Sequence, residues 1–139
     1  MKIITHEENV CLLRCDRGEE VLETLTTWCV TNNIGAGSIF GIGAAAEVIL
    51  AYYNLETKTY EDHQFKEDLE IVSLLGNIAI LNNKPMIHLH GSFGTSTLAV
   101  RGGHVKKLIV SATCEITVQI FKKSIERKPD EATGLYLLS

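Results

Sequence analysis

One stretch of this chain has the periodicity of an amphipathic helix, and its solitude limits the fold. Apolar residues fall at Val21, Leu22, Leu25, Trp28 and Cys29, spaced to line one face of a helix with 3.6 residues per turn. Asp16-Arg17-Gly18-Glu19 ahead of it offers a capping side chain with an acidic partner three residues on. Asn32-Asn33-Ile34-Gly35 behind it supplies residues that tolerate the left-handed conformation at helix ends. The spacing predicts a helix from about Gly18 to Thr31. No second segment matches it, so the rest of the core has to come from strands, and the regular βα alternation of a doubly wound fold is missing.

Strand patterning fills most of the remainder. Ile3 to Ile4 and Val10 to Cys15 precede the helix; Ser38 to Ile42 and Glu47 to Tyr53 follow it, the latter rich in β-branched and aromatic residues. Asn54-Leu55-Glu56-Thr57-Lys58 is a turn-rich link to a returning strand at Thr59-Tyr60. Leu69 to Leu81 and Met86 to Phe93 flank Asn82-Asn83-Lys84-Pro85, a polar link of hairpin length. Val105 to Phe121 alternates, with Val110, Ala112, Cys114, Ile116, Val118 and Ile120 on its apolar face. About seven strands, several joined by hairpin-length links, give an α+β class: a mostly antiparallel sheet with its apolar face covered by one main helix. The expected organisation is a single domain over residues 1–139, a length that supports one core. The segment from Lys122 to Asp130 reads as a charged, exposed tail.

Charge bears on partners. Thirteen Lys and Arg against seventeen Asp and Glu give a formal net charge of -4, which disfavours strong non-specific binding to DNA, since counter-ion release drives most of that affinity. A local cluster, Lys122-Lys123 with Arg127-Lys128, is the available source of phosphate contacts. No apolar run reaches the length of a membrane span and the N-terminus lacks a signal pattern, so a cytoplasmic location is expected. The four cysteines, Cys11, Cys15, Cys29 and Cys114, have no C-x-x-C spacing and are expected to be buried free thiols.

The residues with chemical potential are histidines. His88-Leu89-His90 lies in a predicted strand, where residues two apart point to the same face about 6.6 Å apart and can converge on one ion. His104, after Gly102-Gly103, would complete a three-histidine site from a neighbouring strand, with a position left open for water or substrate. The same pattern also suits histidines that hydrogen-bond across a sheet or serve a subunit interface. Gly102 and Gly103 allow close backbone approach, although a simple turn explains them as well. His6 and His63 lie in polar segments and are expected at the surface. Glu70 is a candidate general acid or base if its strand runs beside the histidines. Gly35, Gly37, Gly41 and Gly43 do not form G-x-G-x-x-G, because Phe40 takes the third glycine's place, and no phosphate loop, G-x-S-x-G or H-E-x-x-H is present.

Taken in order, Asp16-Arg17-Gly18-Glu19, Gly41-Ile42-Gly43-Ala44, Tyr52-Tyr53 to Tyr60, Glu70 to Asn77, Lys84-Pro85-Met86-Ile87-His88-Leu89-His90, Gly102-Gly103-His104 and Asp130-Glu131-Ala132-Thr133-Gly134-Leu135 resemble the "plants and prokaryotes conserved" (PPC) domain in a stand-alone prokaryotic form. The resemblance spans almost the whole chain. It implies an antiparallel sheet packed around one helix and assembly as a homotrimer. In plants the domain follows AT-hook motifs that bind A·T-rich DNA, and it contacts transcription factors; prokaryotic members carry a DNA-binding label. The Arg-Gly-Arg-Pro core of the hook is absent here, and the plant contact segment aligns with Glu67-Asp68-Leu69-Glu70-Ile71-Val72, where two of its leading residues are lost. Some family members resemble metalloproteins with histidines equivalent to His88, His90 and His104 around zinc or another divalent metal. The resemblance thus implies a DNA-associated or transcription-related regulatory homotrimer that also binds metal. The alternatives are a metal-dependent enzyme or small-ligand binder using those histidines, and a purely structural trimer.

Overall fold

Long alternating stretches become nine strands around one helix in the computed structural model, which describes residues 1–139. The strands are β1 (Lys2–Glu7), β2 (Val10–Asp16), β3 (Gly37–Asn54), β4 (Thr59–Phe65), β5 (Leu69–Leu81), β6 (Lys84–Gly94), β7 (Val100–Ile120), β8 (Arg127–Asp130) and β9 (Leu135–Leu138); the helix α1 spans Val21–Thr31. Seven of them form one antiparallel sheet in the order β1-β2-β7-β6-β5-β3-β4, and β7 also pairs with β3, so the ring β3-β5-β6-β7 closes on itself. Closure removes free edges from the four central strands. This is the expected α+β class, with two additional short strands forming a separate C-terminal hairpin.

Three local features depart from the pattern read in the sequence. The two expected strands Ser38 to Ile42 and Glu47 to Tyr53 are one 18-residue strand, bent at bulges where the register with β5 and β7 shifts around Gly41 to Glu47. Gly43 sits in that bend with φ +153, and a Cβ there would lie 2.2 Å from the Thr113 carbonyl oxygen. The helix begins at Val21, three residues later than expected, because Gly18 at φ +85 turns the chain first. Finally, Arg127 to Asp130, read as exposed tail, pairs with Leu135 to Leu138 and joins the body through a bridge between Ile80 and Glu126.

The β5–β6 link follows its chemistry closely. Leu81 pairs with Lys84, leaving Asn82 and Asn83 as a two-residue loop at φ +51 and +63, the double positive-φ geometry of a type I′ turn that asparagine tolerates.

Glu20 caps the helix and ties it to the sheet. Its side chain accepts from the Glu23 N–H at 2.6 Å and from the Leu108 N–H at 2.8 Å. The first is an orphan donor of the helix N-terminus and the second a strand N–H of β7, and a shorter side chain would leave both to water. We expect Glu20→Ala to lower stability by about 1–2 kcal/mol, from the lost cap and the lost strand contact. Glu20→Gln should recover only part of it, because its single amide oxygen can accept one of the two bonds and its NH2 group neither; equal urea midpoints for the alanine variant and the parent would contradict this role.

The core is a cluster of 25 buried residues to which α1 gives Val21, Leu25, Trp28 and Cys29 and the sheet gives Leu13, Ile39, Leu74, Leu89, Phe93, Leu108 and Ile116 among others. Along β6 the odd-numbered residues Ile87, Leu89, Gly91 and Phe93 are buried, while His88, His90 and Ser92 face away from the core. All four cysteines are free and buried. Burial pushes the thiols of Cys15 up to about 11 and of Cys29 and Cys114 up to about 12, so they stay protonated and unreactive near neutral pH. No helix is long and apolar enough to cross a membrane.

Candidate metal centre

The register between β5, β6 and β7 assembles the histidines. His88 and His90 leave β6 on the same outward face, and His90 pairs directly with His104 of β7. One ligand atom from each of the three imidazoles lies within 4.8 Å of the other two. The ring centroids are 5.2 Å apart for His88–His90 and His88–His104 and 5.4 Å for His90–His104. Gly102 and Gly103 are strand residues, so the simple turn is excluded. A Cβ on Gly102 would meet the Gly91 carbonyl oxygen at 3.0 Å, and one on Gly103 the Ala51 carbonyl oxygen at 3.1 Å. Their lack of side chains lets β7 approach β6 and β3 where His104 emerges.

The walls come from elsewhere in the chain. Tyr60 of β4 lies 5.1 Å from the His104 ring and 4.7 Å from Tyr53 of β3, and the Tyr53 hydroxyl donates to the Thr133 carbonyl at 2.7 Å. That bond, with Lys58 donating to the Glu131 carbonyl at 2.6 Å, clamps the β8–β9 turn against the β3–β4 hairpin. Within the turn Asp130 accepts from both the N–H and the hydroxyl of Thr133, which holds its carboxyl below the usual range. The hairpin thereby carries Arg127 to the histidines: its Nη2 donates to Asn77 Oδ1 at 2.6 Å and contacts His88 Nδ1 at 3.2 Å, and its Nη1 donates to the Tyr136 carbonyl at 2.8 Å. Arg127 is therefore withdrawn from the basic cluster assigned to the tail. No sequence signal placed it beside the histidines, since that role depends on a pairing between segments about forty residues apart.

The remaining candidates fall away from this site. His6 and His63 are exposed, as expected. Glu70 is exposed and pairs with Gly94, four residues past His90 and roughly 13 Å further along the sheet, so it does not serve the histidines. It lines a separate groove of about 780 Å³ with Arg17, Asp68, Thr95 and Ser96. Beside His90 there is a shallow depression of about 290 Å³ lined by Ser73, Leu75, Ser92, Gly102 and Gly103; it reaches neither His88 nor His104.

The donor set suits a borderline divalent ion, for which neutral imidazole is a preferred ligand. Burial, then Arg127 and the other two histidines, push His88 down from 6.5 to about 4, and burial first and His90 second also lower His104. Both rings are thus neutral at pH 7. His104 Nδ1 is buried without a hydrogen-bond partner, an arrangement that costs about 1–3 kcal/mol unless something outside the chain fills it. The three histidines fit a metal on these grounds.

The depressed values predict a pH dependence in metal-free protein. Between about pH 6.5 and 4 the unfolded chain binds protons at His88 that the folded chain refuses, so stability falls as pH drops through that window. Below it the contribution levels off. Urea midpoints measured across the window should decline less steeply in a His88→Phe variant; identical slopes would count against the burial argument.

A family model matches most of the chain. The Plants and Prokaryotes Conserved (PCC) domain matches residues 4–122. The chain belongs to that family. Structures similar to this PPC chain include a "putative DNA binding protein" from Bacteroides thetaiotaomicron, with a TM-score of 0.94 at 31% identity over 97% of this chain and 94% of that one. A metal-containing protein from Archaeoglobus fulgidus gives 0.88 at 33% identity over 100% and 99%. A plant- and prokaryote-conserved protein from Pyrococcus horikoshii gives 0.88 at 30% identity over 95% and 92%. Among curated proteins none matches this PPC chain.

Proposed function

We propose that this PPC protein holds a divalent metal, zinc being the first candidate, through His88, His90 and His104, and uses the open side of that centre to bind or act on a small ligand. The observation that carries the reading is the convergence of three imidazoles within 4.8 Å, two of them held neutral by burial. Three protein ligands leave a coordination position free, as catalytic zinc sites do, whereas closed structural sites use four. A bound ion would polarise a carbonyl or phosphoryl oxygen, or lower the pKa of a bound water toward neutrality. His88, His90 and His104 would hold it, and Tyr60 and Arg127 would border its ligand. The similar Archaeoglobus fulgidus protein is described as metal-containing. Calorimetric titration of chelator-treated protein with zinc tests the reading: one site per chain is expected, and no heat at high micromolar zinc would remove it.

A second reading is a DNA-associated or transcription-related regulatory role, supported by similar structures described as DNA-binding. Several basic side chains near the sheet are engaged with acids, among them Arg14 with Asp16, Arg101 with Glu67, Lys106 with Asp62 and Lys107 with Glu47. Lys122, Lys123 and Lys128 are exposed for phosphates, as are Arg17, Lys66 and Lys84, none of them in an ion pair. Three copies in a homotrimer would multiply them. Assembly is supported by the outward face shared by Phe40, Ile42 and Leu75, which are 48%, 58% and 54% exposed and continue, through the Leu75–His90 pair, the face that bears the histidines. Copies of the chain covering those residues would bury them. Titration of a labelled A·T-rich duplex at low salt, with light scattering of the protein alone, tests both parts. A monomer that leaves the duplex unbound at high micromolar concentration would end this reading.

A further inference from the structure

The guanidinium of Arg127 is half-buried, and no negative charge accompanies it. Its partners are an amide oxygen, a carbonyl oxygen and an imidazole nitrogen, all neutral, and its Nε is buried with no partner. Arg14 and Arg101, by contrast, each meet a carboxylate at 3.0 and 3.2 Å. A cation taken out of water without a counter-charge is costly. This one is positioned by a built device, the clamped β8–β9 hairpin, with its Nη2 3.2 Å from a histidine of the cluster. It also comes from beyond residue 122, where the match to the family ends.

Charge accounting sharpens the point. The three candidate ligands are imidazoles and the cluster contains no carboxylate. The acid whose charge reaches His104, Asp62, is held by Lys106 at 2.7 Å. A divalent ion added here would bring two more positive charges to a site that already has an uncompensated arginine.

We propose that the ligand of this centre is a small oxyanion, a carboxylate or phosphate group, received by Arg127 on one side while the histidine cluster faces it on the other. The proposal rests on the metal reading given above. With Nη2 and one Nη1 hydrogen engaged within the chain, Arg127 keeps an Nη1 N–H and its positive charge for an incoming oxyanion, and a guanidinium held in place this way is more specific than a lysine in that position. Carboxylate and phosphate share this chemistry, so the test has an arm for each.

The experiment uses zinc-loaded protein, with metal content measured by mass spectrometry before and after calorimetric titration with oxalate and, separately, inorganic phosphate. The parent is expected to keep its zinc and bind at least one of the two anions, the tighter arm naming the class. Arg127→Gln should keep its zinc and lose anion affinity at least tenfold, and Arg127→Lys, which preserves the charge without the fork, should fall between. Circular dichroism of both variants checks that the sheet is intact. Zinc-loaded parent that binds neither anion, or Arg127→Gln and Arg127→Lys that both bind as the parent does, would overturn the proposal and leave the metal reading standing. Protein that takes up no zinc would overturn the metal reading, and this one with it.

Discussion

Gly43→Ala should lower the stability of this protein by about 4 kcal/mol. The added Cβ would lie 2.2 Å from the Thr113 carbonyl oxygen and 2.7 Å from the Cys114 Cα, both backbone atoms of β7 that cannot rotate aside. Overpacking of this kind costs about 1–3 kcal/mol. The φ of +153 adds a backbone penalty of similar size for any residue with a side chain. Small domains are stable by only about 5–15 kcal/mol, so much of the margin would go. Gly94→Ala provides the control, since its Cβ would meet side-chain atoms only at 3.5 and 3.6 Å, and should change the urea midpoint little. A Gly43→Ala variant within 1 kcal/mol of the parent would show that the β3 bend relaxes and that the close crossing with β7 is not obligatory.

His104→Phe is expected to separate binding from folding. The phenyl ring keeps the packing against Tyr60, now 5.1 Å from the imidazole, and removes the buried Nδ1 that finds no partner. Metal-free variant should therefore be as stable as the parent or more so, because an unsatisfied polar atom has been replaced by carbon. Zinc affinity should fall by about two orders of magnitude or more, since even residues that only orient a ligand cost 10–100-fold when changed. Paired urea and zinc titrations read both quantities. A variant that binds zinc like the parent would remove His104 from the ligand set, and one that unfolds would make it a packing residue first.

Much of this architecture was legible because it rests on periodicity. The 3.6-residue spacing of Val21, Leu25, Trp28 and Cys29 marked the helix face, and those four are its buried residues. His88 and His90 were readable as a pair because a strand repeats every two residues. The addition of His104 needed the β6–β7 register, which local sequence does not encode. The continuity of β3 was hidden by Gly41 and Gly43, whose bulges break the alternation and so look like a strand end. The later start of the helix reflects Gly18 and an unusual cap, Glu20, chosen for its reach to Leu108 as much as to its own first turn. Arg127 was least legible. Lys122 to Asp130 is polar and without apolar period, yet the Asp130–Thr133 turn and the Tyr53 hydroxyl fold it back onto the sheet. The Asp130 to Leu135 stretch, part of the resemblance in the sequence, forms the turn that this clamp holds.

The most direct measurement is the metal content, by mass spectrometry, of untagged protein purified without chelator, beside a His88→Ala/His90→Ala variant. The account predicts close to one divalent ion per chain in the parent and none in the variant, with the variant still folded. Metal-free parent that stays empty after incubation with zinc, or a variant that retains the same ion content, would contradict it.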